Sequence, residues 1–353
     1  MNDNKREAKY IIIGAGLSGL TTAYTLLENG ENDFLILEGS HRMGGRIRTK
    51  NNIDLGATWF QDHHTNLNHL LHILNIKKFE QFSKGQSVLV YNTMAPAHYF
   101  ETQEGAPAAY RIAGGSAALI NKLKEAVGDT VVTGANVEEF LETKTGITVK
   151  TSKGDYQANT VVLTIPPKLA STLKYTPELP QAHLKTMQGT HTWMSNAIKL
   201  GLVFKTPFWR KKDLSGTVIG QVGPVIELYD HCNAKDDVYT LMGFVNEGLR
   251  GVTPKNRKER ILSYLEKYLG PEIRNHIAYF EKDWSTDKFT SCDNLKSVYM
   301  SPQYGNPVYE NFQMNGKLLF SGTETSPVYG GYLDGAVYSG IRAANLLMTQ
   351  VLT

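Results

Sequence analysis

The sequence predicts an α/β fold, in which a parallel-sheet domain is interleaved with a smaller α+β domain built on a mixed or antiparallel sheet. Three observations carry this expectation. An isoleucine-rich run near the N-terminus leads through a glycine-rich turn into a helical pattern. A second apolar run follows and ends in an acid. The middle of the chain holds several short strand-like runs separated by turn residues.

The first run, Lys9 to Ile13, reads as a buried parallel strand. It is followed by Gly14-Ala15-Gly16-Leu17-Ser18-Gly19, a G-x-G-x-x-G. Leu20, Ala23, Tyr24 and Leu27 then share one helical face, and Asn29-Gly30 stops the helix. The second strand, Phe34 to Leu37, ends at Glu38, followed by Gly39. Each part has a physical task. Gly14 permits the tight turn, Gly16 lets a pyrophosphate approach the backbone, and Gly19 lets helix pack on strand. The helix N-terminus, at Leu17 and Ser18, offers free N–H groups and the positive end of a dipole. Glu38 can accept the ribose hydroxyls. Strand, turn, helix, strand and acid together predict a dinucleotide site of the Rossmann-like kind. Gly44-Gly45-Arg46 comes next. The glycine pair lets the backbone fold against a cofactor, and Arg46 can pair with a diphosphate.

Composition bounds the function. The chain has 353 residues, which suits two joined domains, with 41% hydrophobic and 20% charged residues. A net charge of +3 gives no footing for nucleic acid or a charged membrane surface. No apolar run approaches the roughly 20 residues needed to span a bilayer, and the polar start MNDNKREAKY has no signal-like apolar core. Cys232 and Cys292 are far apart and form no metal motif, so a cytoplasmic protein with free thiols is expected. His63, His64, His69 and His72 lack i, i+4 ligand spacing and read as a solvated face beside a helix starting near Thr65, whose buried stripe is Leu67, Leu70, Leu71 and Leu74. No metal is expected. No G-x-S-x-G elbow supports acyl transfer.

The segments GAGLSGL and ILEGSHRMGGRIRT resemble the flavin amine oxidase superfamily, which includes monoamine oxidases, polyamine oxidases and related desaturases. The resemblance recurs in order along the chain. Asp54-Leu55-Gly56-Ala57-Thr58-Trp59 is similar to the segment running beside the flavin. Ala113-Gly114-Gly115-Ser116 and VVLTIPP (161–167) resemble the family's returns to the cofactor domain, and Val137 matches the position whose backbone holds the adenine. Ala197-Ile198-Lys199 with Pro207-Phe208-Trp209 resembles the lysine strand of monoamine oxidases. Ser321-Gly322-Thr323-Glu324-Thr325 and Gly331-Tyr332-Leu333-Asp334-Gly335-Ala336 resemble the C-terminal flavin signature.

The resemblance implies FAD as cofactor, with residues 1–78, 105–190 and 286–353 forming its domain and 79–104 and 191–285 the substrate domain. It implies that Glu324 accepts ribityl or backbone hydrogens, and that Tyr332 is one wall of an aromatic cage around the substrate. It assigns Lys199 to flavin reoxidation through a bound water. The pattern AIKLGLVF alone leaves open a lysine that reaches solvent at a strand end. Trp284 matches the family's tryptophan near the site, and the resemblance implies that it joins Lys199 and Tyr332 in the catalytic set. Counting from it, Asn294 falls where monoamine oxidases place the second cage tyrosine, and Asp293 where they place the cysteine that bonds FAD. Cys292 is one residue early, so non-covalent FAD is expected.

Some fifty residues separate Trp59 from Gly114, where most of the family carries a longer helical subdomain. A short version of the fold is expected, with either an open cleft or a lid supplied by another protomer or protein. The function implied is oxidation of an amine to an imine, with O2 reduced to hydrogen peroxide. Two alternatives stand beside it. One is FAD-dependent desaturation of a porphyrinogen-like or carotenoid-like substrate. The other is a flavin-binding protein with little turnover that acts through a partner.

Overall fold

The isoleucine-rich run folds as the strand Glu7–Ile13, buried from Tyr10 onwards. The helix Leu17–Glu28 and the strand Phe34–Glu38 complete a parallel strand–helix–strand unit. The computed structural model describes residues 6–92, 94–103, 105–291 and 304–350. Among these, the strands form two large sheets.

In the first sheet the order is Lys174–Thr176, Val137–Glu142, Ile147–Thr151, Gly154–Leu163, Glu7–Ile13, Phe34–Glu38 and Val131–Thr133. Gly154–Leu163 also pairs in parallel with Leu318–Phe320, which brings the C-terminal part of the chain to the centre of the sheet. On one face of the sheet the helices Leu17–Glu28 and Leu333–Thr349 pack together through small residues. A Cβ on Gly340 would lie 2.6 Å from the Ser18 carbonyl oxygen. The Ser18 hydroxyl lies 2.8 Å from that of Ser321 and 3.1 Å from that of Ser339. Helix Ala117–Val127, which follows the left-handed Gly114-Gly115 turn, covers the same core with Leu119, Ile120 and Leu123.

The second sheet runs Ala278–Asp283, Ile198–Phe204, Tyr239–Val245, Val225–Asp230, Leu214–Gly220, Gln86–Val90 and His98–Phe100. It is antiparallel except where Leu214–Gly220 meets Gln86–Val90. Ile198, Leu200, Leu202 and Phe204 point to one face, where helix Pro254–Leu269 docks with Ile261, Leu262 and Leu265. Gly270, at φ 99°, ends that helix in a conformation that favours glycine. On the opposite face Gly201 leaves room for Ile53, since a Cβ there would meet its Cγ2 at 2.7 Å. The segment 53–58 is thereby held against this sheet.

Most expected elements form within a few residues of their predicted bounds. The hairpin strand His98–Phe100 was not foreseen, and the last helix, Leu333–Thr349, begins inside the C-terminal signature. His64 departs from the expected solvated face. It is buried, and its ring packs 4.7 Å from Tyr329 and 5.3 Å from Tyr332. Among the described residues no helix is long and apolar enough to cross a membrane.

Candidate active site

A cavity of about 740 Å³ runs along the carboxyl ends of the parallel strands. Gly14, Gly16, Leu17, Ser18, Glu38, Gly39, Gly44, Gly45, Arg46 and Val137 line it, together with Ala57, Gly322, Thr323, Gly331, Tyr332 and Leu333. Residues from the first fifty and the last thirty-five positions thus share one wall.

The glycine turn has the shape a dinucleotide requires. Gly14 sits at φ 103°, and a Cβ on Gly19 would lie 2.0 Å from the Gly14 carbonyl oxygen, so helix and turn touch backbone to backbone. A Cβ on Gly16 would meet nothing closer than Gly45 Cα at 4.0 Å, which leaves the approach from the cavity open. No side chain caps the helix Leu17–Glu28 at this end, so its first N–H groups remain available to an anion. The Glu38 carboxylate accepts N–H bonds from Ala15 at 2.8 Å and Ser40 at 2.8 Å. Burial pushes its pKa up against those bonds. Each oxygen keeps a lone-pair direction for a hydroxyl donor. Volume, uncapped helix, glycine cradle and terminal acid fit the adenosine diphosphate half of a dinucleotide.

Two expected contacts differ. Arg46 lines the cavity, but its guanidinium holds both carboxylate oxygens of Glu324 and the Thr192 hydroxyl rather than standing free for a diphosphate. Glu324 is fully buried and faces that arginine, not the cavity. Burial drives the Glu324 carboxyl upward, yet the neighbouring Arg46 charge outweighs it and holds it below the ordinary value. The pair joins the two flavin-signature segments, 278 residues apart.

A second cavity, about 890 Å³, opens on the face of the antiparallel sheet. Gly56, Ala57, Thr58, Trp59, Asn196, Lys199, Glu227, Phe244 and Glu247 are among its lining residues. The two cavities share Ala57, Trp193, Gly331, Tyr332 and Leu333. A planar group at the end of the first cavity would therefore present one face to the second.

Lys199 is 1% exposed, which rules out the solvent-reaching alternative. Its ammonium donates to the Gly56 carbonyl at 2.7 Å and the Thr58 hydroxyl at 3.0 Å, and lies 4.9 Å from the Phe244 ring centroid and 5.4 Å from that of Trp59. Burial lowers its pKa to about 7, with Asp54 and Glu227 opposing the shift. Tyr332 is 56% exposed at the junction of the cavities, and its carbonyl is fixed by the Thr323 hydroxyl at 2.7 Å. The last helix starts beside it. Asp334, in the first turn, accepts from the Leu67 N–H at 2.8 Å and from Asn66 Nδ2 at 2.9 Å.

Trp284 is a correction. Its indole is fully buried, donates to the Leu55 carbonyl at 2.7 Å and lines neither cavity. It holds the 54–58 segment from behind. Cys292, Asp293 and Asn294 lie outside the described residues. Sequence reasoning missed Trp193, Glu227, Phe244 and Glu247. Strand alternation could have placed Glu227 and Phe244, which are paired across neighbouring strands, on one face.

The family model described as flavin containing amine oxidoreductase matches residues 17–95 and 89–348. A probable flavin-containing monoamine oxidase A of Dictyostelium discoideum is 23% identical over 450 aligned residues, covering 97% of this chain and 98% of that protein. The flavin-containing amine oxidase B of Mus musculus is 30% identical over 250 residues, 67% of this chain and 47% of its own length. The chain thus spans about half of that relative. Wild-type putrescine oxidase, in a structure bound to putrescine, superposes with a TM-score of 0.84 at 24% identity, covering 98% of this chain and 99% of the other. Cyclohexylamine oxidase from Brevibacterium oxydans gives 0.82 at 20% identity, covering 96% and 98%. These likenesses establish the fold. The chain belongs to the flavin-containing amine oxidoreductase family and is an FAD-dependent amine oxidoreductase.

Proposed function

We propose that the chain oxidises a small primary or secondary amine to an imine, with O2 reduced to hydrogen peroxide, at the junction of the two cavities. The observation that carries this reading is the sharing of Tyr332, Gly331 and Ala57 by both cavities, with Lys199 on the floor of the second. FAD, when bound, supplies the two-electron acceptor. Everything else is asked of the chain. The first sheet and its loops hold the cofactor, and the second sheet holds the substrate. Tyr332 orients the amine through its ring face. Lys199, with a pKa near neutrality, holds or releases a proton where oxygen would be reduced.

The carboxylates of Glu227 and Glu247 in the second cavity favour a cationic ligand. Glu227 accepts the Tyr229 hydroxyl at 3.0 Å, and Glu247 accepts Asn196 Nδ2. With the amine at the junction neutral, these acids suit a substrate that carries a second, distal ammonium. The neighbour named putrescine oxidase is seen bound to such a diamine. Anionic porphyrinogen-like substrates are disfavoured by the same charges.

Non-covalent FAD is supported by Cys232, the free cysteine among the described residues. It is buried and lines neither cavity. After acid precipitation the yellow colour should leave the pellet. The function is tested by mixing the anaerobic protein with a panel of mono- and diamines. The flavin absorbance should bleach with at least one of them, and air should restore it with formation of peroxide. A spectrum unchanged by every amine counts against amine oxidation.

A further inference from the structure

The family resemblance puts the second cage wall at position 294, and this chain has asparagine there. An amine held by one ring face alone is free to swing, so the missing wall matters for orientation. The structure offers another aromatic at the same junction. Trp193 precedes the Lys199 strand in the short turn Trp193–Asn196 and lines both cavities, as Tyr332 does. Its indole is 43% exposed, although tryptophan is among the side chains with most to gain from burial.

The ring is held in place rather than loose. Its Nε1–H donates to the Gly331 carbonyl at 3.4 Å, and its backbone N–H donates to the Tyr304 hydroxyl at 3.2 Å. A Cβ on Gly331 would stand 3.4 Å from its Cδ1, so the glycine before Tyr332 carries the indole edge. Phe244 lies 6.4 Å away between ring centroids, but that ring meets the Lys199 ammonium on the cavity floor. Among the described residues, Trp193 and Tyr332 are therefore the two large exposed rings bordering both cavities.

We propose that Trp193 is the second aromatic wall of the amine site, paired with Tyr332 and taking the place of the family's second tyrosine. This rests on the amine-oxidation reading above. An indole face is larger than a phenol's and offers more apolar contact, so the site selects amines whose carbon chain or ring fills the space between the two.

The test compares Trp193→Ala and Trp193→Phe with the wild-type holoenzyme. One readout is the limiting rate of anaerobic flavin bleaching by benzylamine and by butylamine. The other is equilibrium binding of α,α-dimethylbenzylamine, which has no α-hydrogen to lose, followed by the shift it causes in the flavin spectrum. The expected result is about a tenfold loss in rate and in affinity for the alanine variant, as for removal of one aromatic contact. The phenylalanine variant should recover most of both, with FAD content unchanged. Wild-type rate and affinity in Trp193→Ala would overturn the proposal. So would equal losses in both variants accompanied by loss of FAD, which marks a scaffold role. A wild-type protein that no amine bleaches would bring down the amine-oxidation reading itself, and this inference with it.

Discussion

The Arg46 guanidinium grips both carboxylate oxygens of Glu324, a residue 278 positions further along the chain. It also reaches the Thr192 hydroxyl, at the start of the segment that leads through Trp193 to Lys199. One ion pair, its carboxylate fully buried and its guanidinium partly so, thus ties the N-terminal Gly-Gly-Arg loop, the C-terminal signature and the entry to the substrate sheet.

Removing the Glu324 charge leaves the Arg46 guanidinium unpaired and partly buried. Glu324→Gln is expected to destabilise the protein by about 1.5–3 kcal/mol near pH 7, as for loss of a charge-assisted hydrogen-bonded pair, read from urea unfolding of the FAD-free protein. Glu324 is held below the ordinary carboxyl value, so its stabilisation is full above the unfolded value of about 4.3 and is lost as the pH falls through the folded one. The gap between wild type and variant should therefore shrink in acid. A gap that is constant from pH 7 to pH 3 would show that the charge is not what matters.

Lys199→Met removes a cation that oxygen would face and leaves the amine-binding rings in place. Reoxidation of the reduced flavin by O2 should slow at least about tenfold, the lower end of what loss of an electrostatic contact costs in a dry site, while anaerobic reduction changes little. The wild-type reoxidation rate should fall as the pH rises through about 7, where the ammonium loses its proton. The variant should show no such step. Stopped-flow traces with unchanged reoxidation would remove Lys199 from this role.

Glu227→Gln and Glu247→Gln each neutralise one acid of the second cavity. KM for a diamine is expected to rise about tenfold, as for loss of a charge-assisted bond, with a much smaller rise for a monoamine of equal length. Equal effects on both substrates would show that the acids serve the fold rather than a distal ammonium.

Gly19→Ala places a methyl group where the Gly14 carbonyl oxygen already stands, 2.0 Å away. The turn cannot keep its form, and the purified variant should be colourless and should not take up added FAD. A yellow Gly19→Ala protein with normal flavin content would contradict the close contact of Gly19 with the Gly14 carbonyl.

The cofactor half of the site was legible because its requirements are local. A tight turn, a close backbone approach and an acid at a strand end each demand a residue type at a fixed spacing, as Gly14, Gly16, Gly19 and Glu38 show. The partnership of Arg46 with Glu324 was not legible, since two segments far apart in sequence each suggested a contact with the cofactor and neither named the other. Trp284 misled for a similar reason. Its place in the motif order was clear, but only the tertiary structure turns its indole toward the Leu55 carbonyl and away from both cavities. The substrate cavity was the least readable part. Glu227, Phe244 and Trp193 come from three different elements, and their convergence depends on how the antiparallel sheet twists against the 53–58 segment.

The most direct measurement of the central claim is anaerobic titration of the purified holoenzyme with amines, followed by its visible spectrum. The account predicts a yellow protein whose flavin absorbance bleaches with an amine and returns, with one equivalent of peroxide, when air is admitted. A protein that is colourless and cannot be reconstituted with FAD, or one whose flavin no amine reduces, would contradict it.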